Sequence, residues 1–476
     1  MQAPKGLVAS SDPRAAQVGA AMLREGGNAA DAAVAAALVL YVVEPQSAGV
    51  GGDGFLIFAA PGSDPVALDG SGAFPLGLTR DALESDGLDA PPGRGTRSVT
   101  VPGALALLED ALARFGNLSF STVGDPAIRL ARDGFEVRPT LASAAARAAA
   151  ALSADATLSR LYVPDGRPVV EGERICNPAL ADLLSTVSLH GTDSFYRGDL
   201  ADALCARVAA GGGYLRNVDL AAHGTSERAP VSCGFRGRTV WELPEPTQGP
   251  AVVAALRRLE EQGPLQADDP DWAPVVEAVT AAMSEAGFDL QAMGAAVPPV
   301  GQGDTTYIAA IDERGGTASL ITSLFGDFGA QFGVPEIGGP LGNRAAILRL
   351  LRQAPRPGER PPHTTIPALV TRDRSPLLAL GVAGGFMQPQ AQVQILLRLF
   401  DLGCAPQKAV DEPRFRVLLG GDLALEAGHP LATRWPDALG RPTGVEGFGA
   451  AQLAGWFDGQ MLGAADRRRG GAVVAA

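Results

Sequence analysis

Gly303-Asp304-Thr305-Thr306-Tyr307-Ile308-Ala309-Ala310-Ile311-Asp312 is the stretch that decides how this 476-residue chain folds. Ahead of it, residues 295–303 (AAVPPVGQG) are rich in proline and glycine and carry no hydrophobic period, so they read as exposed loop. Past Thr305 the chain turns apolar and β-prone. It breaks at Asp312-Glu313-Arg314-Gly315-Gly316 and resumes at Thr317-Ala318-Ser319-Leu320-Ile321-Thr322-Ser323-Leu324. Two β-prone runs around an Asp/Gly turn predict a hairpin. A hydroxyl residue therefore stands at the joint between a dispensable loop and a core strand. Were the chain cut between Asp304 and Thr305, the hydroxyl would lie beside a new α-amine. Such an amine has a pKa of about 7.7–8 and makes a usable base near neutrality. Threonine with an N-terminal amine is a known nucleophile–base pair. An ordinary strand start is the competing local reading, and Thr306 is the alternative nucleophile.

Composition narrows the field. The chain is 46% hydrophobic, so it can bury a large core. A formal net charge of −13 argues against electrostatic nucleic-acid binding, and no basic stripe interleaved with aromatics is present. Cys176, Cys205, Cys233 and Cys404 show no CxxC spacing, and His190, His223, His363 and His429 show no paired spacing. The pattern predicts no metal site, no redox motif and no disulfide framework. Met1 to Gly6 carry no charged-then-apolar leader, and the longest apolar run, 32–43, is too short to cross a bilayer. The expectation is a soluble, cytoplasmic protein that engages neither membrane nor nucleic acid.

In chain order, Gly6 to Ser10 reads as a short strand. Asp12 and Pro13 open a helix as N-cap and first-turn proline. Residues 29–43 read as a buried, alanine-rich helix. The block Glu44-Pro45-Gln46-Ser47-Ala48-Gly49-Val50-Gly51-Gly52-Asp53-Gly54-Phe55 leads into a strand at 56–58. Residues 142–152 form a scaffold helix, and 229–233 and 239–242 form a strand pair. His223 is expected at the surface or at a cap. Gly381-Val382-Ala383-Gly384-Gly385-Phe386 follows a strand and opens a core helix over 390–402. Glycines at such a joint leave backbone N–H groups exposed, which suits a developing oxyanion. A plain tight turn explains them locally too. With no linker or repeat dividing it, the chain fits a single α/β unit.

These blocks, taken in order, resemble the gamma-glutamyltranspeptidase family of N-terminal-nucleophile hydrolases over nearly the whole length. The 26–55 region is similar to the family's GGNAxDAAVA…VVEP…SGxGGGGF pattern. The resemblance implies an α/β (α+β) fold, a four-layer αββα sandwich with two central antiparallel sheets. It implies self-cleavage between Asp304 and Thr305. Residues 1–304 and 305–476 would then be two segments of one structural domain, a heterodimer that needs no cofactor. Thr305 would be the nucleophile, Ser323 its hydrogen-bonding partner, and Gly384 with Gly385 the oxyanion hole. Thr364 and Thr365 would line the acyl pocket.

Three departures stand out against the family. Residues 66–75 lack the arginine that clamps the substrate's α-carboxylate, and Ser71 and Gly72 occupy the neighbourhood. A Ser/Gly pair cannot reproduce a bidentate guanidinium. Phe325 stands where an asparagine holds the glutamyl group. Past Asn343 the sequence runs Arg344-Ala345-Ala346-Ile347, without the expected acidic residue. The expectation is an amidase or acylase acting on a small-molecule amide, with weak use of glutathione. An uncleaved, non-catalytic binding or scaffold protein of the same fold is the other reading.

Overall fold

The computed structural model describes residues 4–294, 304–441 and 447–476. The expected loop at 295–303 lies outside the described residues. The hairpin forms where the sequence puts it, as strands Asp304–Asp312 and Thr317–Phe325. It sits at the middle of a seven-stranded sheet. The strand order is Ala472–Ala475, Gly6–Ser10, Asp304–Asp312, Thr317–Phe325, Asp53–Ala59, Val66–Asp69 and Ser226–Arg228. The second large sheet has six strands, in the order Gln460–Ala465, Ala450–Phe457, Ser375–Ala383, Ala368–Arg372, Arg238–Glu242 and Val231–Phe235. Neighbouring strands in both sheets run antiparallel.

Three apolar cores separate four layers. On the strand Asp304–Asp312, Ile308 and Ala310 enter the core shared with helices Pro13–Arg24 and Ala29–Val43. Tyr307, Ala309 and Ile311 enter the core between the two sheets. This period of two, apolar on both faces, is what a strand covered on both sides requires. The outer face of the second sheet packs on helices Gly249–Gln262, Ala273–Glu285 and Met387–Phe400. The architecture is the αββα sandwich expected from the resemblance.

Local signals explain the helix starts. Asp12 accepts from Arg14 N, with Pro13 in the first turn. Asn28 and Asp31 form a reciprocal capping box ahead of the Ala29–Val43 helix, which is buried throughout. Its alanines leave room for the close approach that total burial demands. Among the described residues no helix is long and apolar enough to cross a membrane.

The helix Met387–Phe400 begins three residues before the predicted span, and its polar residues have a role that periodicity did not show. Gln390 and Gln394 exchange hydrogen bonds of 2.7–3.1 Å with the backbone of Val417 and Phe415. Gln388 accepts from Ile366 N–H at 2.9 Å and Gln392 donates to Ile366 O at 2.8 Å. Side-chain amides thus satisfy backbone groups of Ile366 and of the strand Phe415–Val417, which pairs with Leu423–Glu426. The Ile366 contacts also fix the segment carrying Thr364 and Thr365. His223 departs from the surface expectation. Its ring is half-buried and stacks on Tyr196 at 5.1 Å, and burial lowers its pKa to about 4.

Glu242 ends its strand fully buried, with neither carboxyl oxygen hydrogen-bonded among the described residues. Burial alone raises its pKa well above the ordinary value of 4.5. The unfolded chain therefore ionises first as pH rises from about 4.5, so stability falls from there up to the folded pKa and is level above it. Each unit of that shift costs about 1.4 kcal/mol. Glu242→Gln should flatten the fall and melt higher than wild type at pH 8. Parallel stability–pH curves in urea for the two proteins would show that the buried acid is not responsible.

Candidate active site

Strand alternation sorts the two threonines. Thr306 shares its face with Ile308 and meets Thr322 Oγ1 at 3.0 Å. Thr305 shares its face with Tyr307, between the sheets, and its hydroxyl donates to Ser323 Oγ at 3.2 Å. Both Thr305 and Ser323 are buried. Ser323 Oγ also accepts from Phe325 N–H at 2.9 Å. The pairing register slips between Thr322 and Phe325, so that Phe325 stands opposite Asp304. Phe325 takes φ 79°, a left-handed conformation that an aromatic residue adopts only at a cost of order 1–3 kcal/mol. This bulge turns the Phe325 ring toward a buried arginine.

That arginine is Arg344, with its guanidinium carbon 4.6 Å from the centre of the Phe325 ring. Its Nε and Nη2 each lie 3.1 Å from one oxygen of Asp53, and Nη1 lies 3.4 Å from Thr364 Oγ1. Asp53 is paired across the sheet with Ser323, so this ion pair borders the Thr305–Ser323 contact. Burial pushes the Asp53 carboxyl above the usual range, against the pull of Arg344. His363 Nε2 lies 3.5 Å from Asp53, and its Nδ1 meets Thr365 Oγ1 at 3.1 Å. Burial drives the His363 pKa well down, so the ring is neutral. Asn343, next to Arg344, accepts from Gly326 N–H at 3.0 Å and donates to Gly93 O at 2.7 Å. Those bonds fix the turn on which Arg344 stands.

Gly384 and Gly385 close the strand Ser375–Ala383 and precede the helix Met387–Phe400, with φ of 145° and 59°. A Cβ on Gly385 would meet nothing within 4 Å, so its backbone borders open space. Gln248 donates to Thr364 O at 2.9 Å and to Gly385 O at 3.3 Å, tying the two segments together. Tyr307 packs against Gly381, where a Cβ would come within 2.2 Å of the ring. The strands bearing Thr305 and the glycine pair thereby approach closely.

Ser71 belongs to a neighbouring hydrogen-bonded group around Asp69. Its hydroxyl donates to Asp69 at 2.6 Å, and Arg360 contacts Asp69 Oδ1 at 2.9 Å and reaches Ser71 O. Arg360 also donates to Gly224 O and Ser226 Oγ. An arginine absent from 66–75 is thus supplied to this neighbourhood from a distant segment. Sequence reading missed Asp53, Arg344, Arg360 and Gln248. Asp53 did leave a signal, an acid inside a glycine run, whereas nothing local marked the others. A cleft of about 600 Å³ lined by Arg80, Leu88, Leu348 and Arg352 shares no residue with this constellation. Among the described residues no cluster of His, Cys, Asp and Glu fits a metal ion.

Comparison with known proteins identifies the family of the chain. The gamma-glutamyltranspeptidase family profile matches residues 15–293 and 275–476. A glutathione hydrolase-like YwrD proenzyme of Bacillus subtilis is 32% identical, over 86% of this chain and 85% of that protein. An oxamate amidohydrolase proenzyme of Klebsiella pneumoniae is 31% identical, over 87% and 85%. The crystal structure of cephalosporin acylase from Bacillus halodurans superposes with a TM-score of 0.89 at 30% identity, covering 100% of this chain and 96% of that one. The chain belongs to the gamma-glutamyltranspeptidase family of N-terminal-nucleophile hydrolases.

Proposed function

We propose that this chain is a precursor that cuts itself between Asp304 and Thr305 and then hydrolyses a small-molecule amide with Thr305 as nucleophile. The observation that carries the reading is the buried 3.2 Å contact between the Thr305 and Ser323 hydroxyls, at the start of the core strand Asp304–Asp312. In self-cleavage the Thr305 hydroxyl oxygen bonds to the Asp304 carbonyl carbon. The C–N bond breaks, the hydroxyl proton passes to the leaving nitrogen, and an ester remains. Water then hydrolyses the ester, releasing residues 1–304 with a free carboxyl and 305–476 with a free amine. That amine takes the hydroxyl proton when Thr305 next attacks a substrate amide.

The N–H groups of Gly384 and Gly385 are suited to receive the oxyanion, each such donor contributing about 3–4 kcal/mol. The open space at Gly385 supports that role. The leaving amine departs protonated, and the acyl ester is resolved by water or by an acceptor amine. Thr364 and Thr365 border the acyl group. Relatives are named for glutathione, oxamate and cephalosporin chemistry, all of them amides. The two pieces stay joined as a heterodimer, because Ile308 to Asp312, in the second piece, pair with Gly6–Ser10 of the first.

Intact mass under denaturing conditions should show two fragments for wild type and one uncut chain for Thr305→Ala. The wild-type fragments should co-elute in native size exclusion. A single persistent wild-type chain would favour the scaffold reading instead. Ser323→Ala removes one hydrogen bond to the nucleophile, about 1–1.5 kcal/mol, so cleavage and turnover should each slow roughly tenfold. Unchanged rates for Ser323→Ala would remove Ser323 from the mechanism.

A further inference from the structure

We propose that Gln248 is a positioning residue for the reaction, its side-chain amide holding the glycine turn Gly384-Gly385 in a fixed place relative to Thr364 and Thr365. The inference rests on the nucleophile reading above for what the turn and the two threonines do. Gln248 Nε2 donates to Thr364 O at 2.9 Å and to Gly385 O at 3.3 Å. The side chain is fully buried, and its Oε1 has no hydrogen-bond partner among the described residues. Both neighbours of the amide nitrogen are acceptors, so a flipped amide would set oxygen against two oxygens. A buried acceptor left unpaired is destabilising, so the two donations are kept at the expense of stability.

The turn needs a hold from outside its own helix. Gly384 and Gly385 are adjacent, partly exposed and at positive φ, and glycine backbone is the freest there is. Met387 N–H bonds Gly384 O and Gln388 N–H bonds Gly385 O, each at 3.1 Å, but these bonds belong to the helix start and move with it. The side chains of Gln388 and Gln392 tie the same helix to Ile366 rather than to the glycines. Among the described residues Gln248 is the one side chain hydrogen-bonded to the turn. The Gly385 carbonyl shares its trans peptide with the Phe386 N–H, so fixing that oxygen also fixes this N–H, which points the opposite way.

Gln248 is itself firmly built in. Thr247 Oγ1 donates to Pro244 O at 3.0 Å and accepts from Gly249 N–H at 3.1 Å. His363 N–H bonds Pro246 O at 2.9 Å, and Thr247 forms a parallel bridge with His363. A Cβ on Gly249 would come within 2.1 Å of Leu243 O, so the helix Gly249–Gln262 starts hard against the end of the strand Arg238–Glu242. The segment before residue 304 thus shapes a centre whose reacting groups, Thr305, Gly384 and Gly385, all follow it.

The test replaces Gln248 by methionine, which keeps the length and the burial but donates nothing. Mature protein is assayed with glutathione, oxamate and γ-glutamyl-p-nitroanilide, and kinetics follow the one that wild type hydrolyses fastest. Gln248→Met should lower kcat at least about tenfold with KM within about twofold, the split expected when binding survives and the reacting groups are misplaced. Hydrogen–deuterium exchange needs no turnover and is read on the uncut Thr305→Ala protein, with and without Gln248→Met. The amides of Met387 and Gln388, which bond the two glycine carbonyls, should be protected with Gln248 present and exchange at least about tenfold faster without it, while the strand Thr317–Phe325 is unchanged. Unchanged kcat would overturn the proposal and leave the hydrolase reading standing. A loss carried by KM, or faster exchange throughout the protein, would show a merely structural role and overturn it as well. Unprotected Met387 and Gln388 amides with Gln248 present would overturn it even if the variant failed to fold. If wild type hydrolysed none of the three substrates, the hydrolase reading would fail instead, and exchange would decide the hold by itself: faster at Met387 and Gln388 supports it, equal overturns it.

Discussion

A strand buried on both faces must assign every side chain to one core or the other, and this constraint governs the molecule. On Asp304–Asp312 the helix-side core takes the even positions and the inter-sheet core the odd ones, up to Ile311. A slip of one residue would exchange Tyr307 with Ile308 and drive a tyrosine ring into the helix layer. Tyr307 cannot make that exchange, because its ring needs the bare backbone of Gly381 opposite and its hydroxyl meets Ser319 at 2.6 Å. The same register carries Thr305 to the inter-sheet side and Thr306 away from it. The choice between two adjacent threonines, open in the sequence, is thus made by the packing of Tyr307, within two residues downstream.

At the strand end, apolar packing gives way to buried charge. Asp53 and Arg344 are both nearly inaccessible, and taking such a pair out of water offsets most of its attraction. Removing one partner would cost about 3–5 kcal/mol, since the other would be left charged and dry. The pair is therefore weak as a source of stability and strong as a positional device. It fixes the Arg344 plane, and with it the rings of Phe325 and, through Asp53, the edge of His363. Phe325 can remain in a costly backbone conformation because its N–H is held by Ser323 and its ring by Arg344.

What the sequence disclosed follows the range of the forces involved. Hairpin, buried helix and capping residues depend on neighbours within a few positions, and they were legible at Asp304–Phe325, Ala29–Val43 and Asp12. Family-like spacing drew attention to Thr305, Ser323, Thr364, Thr365, Gly384 and Gly385. Long-range pairs were not legible. Arg344 meets an acid 291 positions away, and Arg360 meets Asp69 across the same separation. No arginine stands in 66–75, and only the fold brings Arg360 to Asp69 and Ser71. The glutamines of Met387–Phe400 misled in another way. Polar residues at every second position do not look like a core helix, yet they complete the backbone hydrogen bonding of segments on two sides.

The distribution of the site over the chain has its own consequence. Asp53, Asp69, Ser71 and Gln248 precede residue 304, whereas Thr305, Ser323, Arg344, Arg360, Thr364 and Gly385 follow it. Three of the polar ties, Asp53 to Arg344, Asp69 to Arg360 and Gln248 to Thr364, cross that point. So does the antiparallel pairing of Thr317–Phe325 with Asp53–Ala59. A backbone cut at residue 304 would break one covalent bond and none of these contacts. Such a cut would be a local event at the strand end, freeing the amine of Thr305 while the packing that orients the strand stays in place. A nucleophile that needs a free amine and a rigid pocket at once can obtain both in this way, because the rigidity is supplied by contacts the cut does not touch.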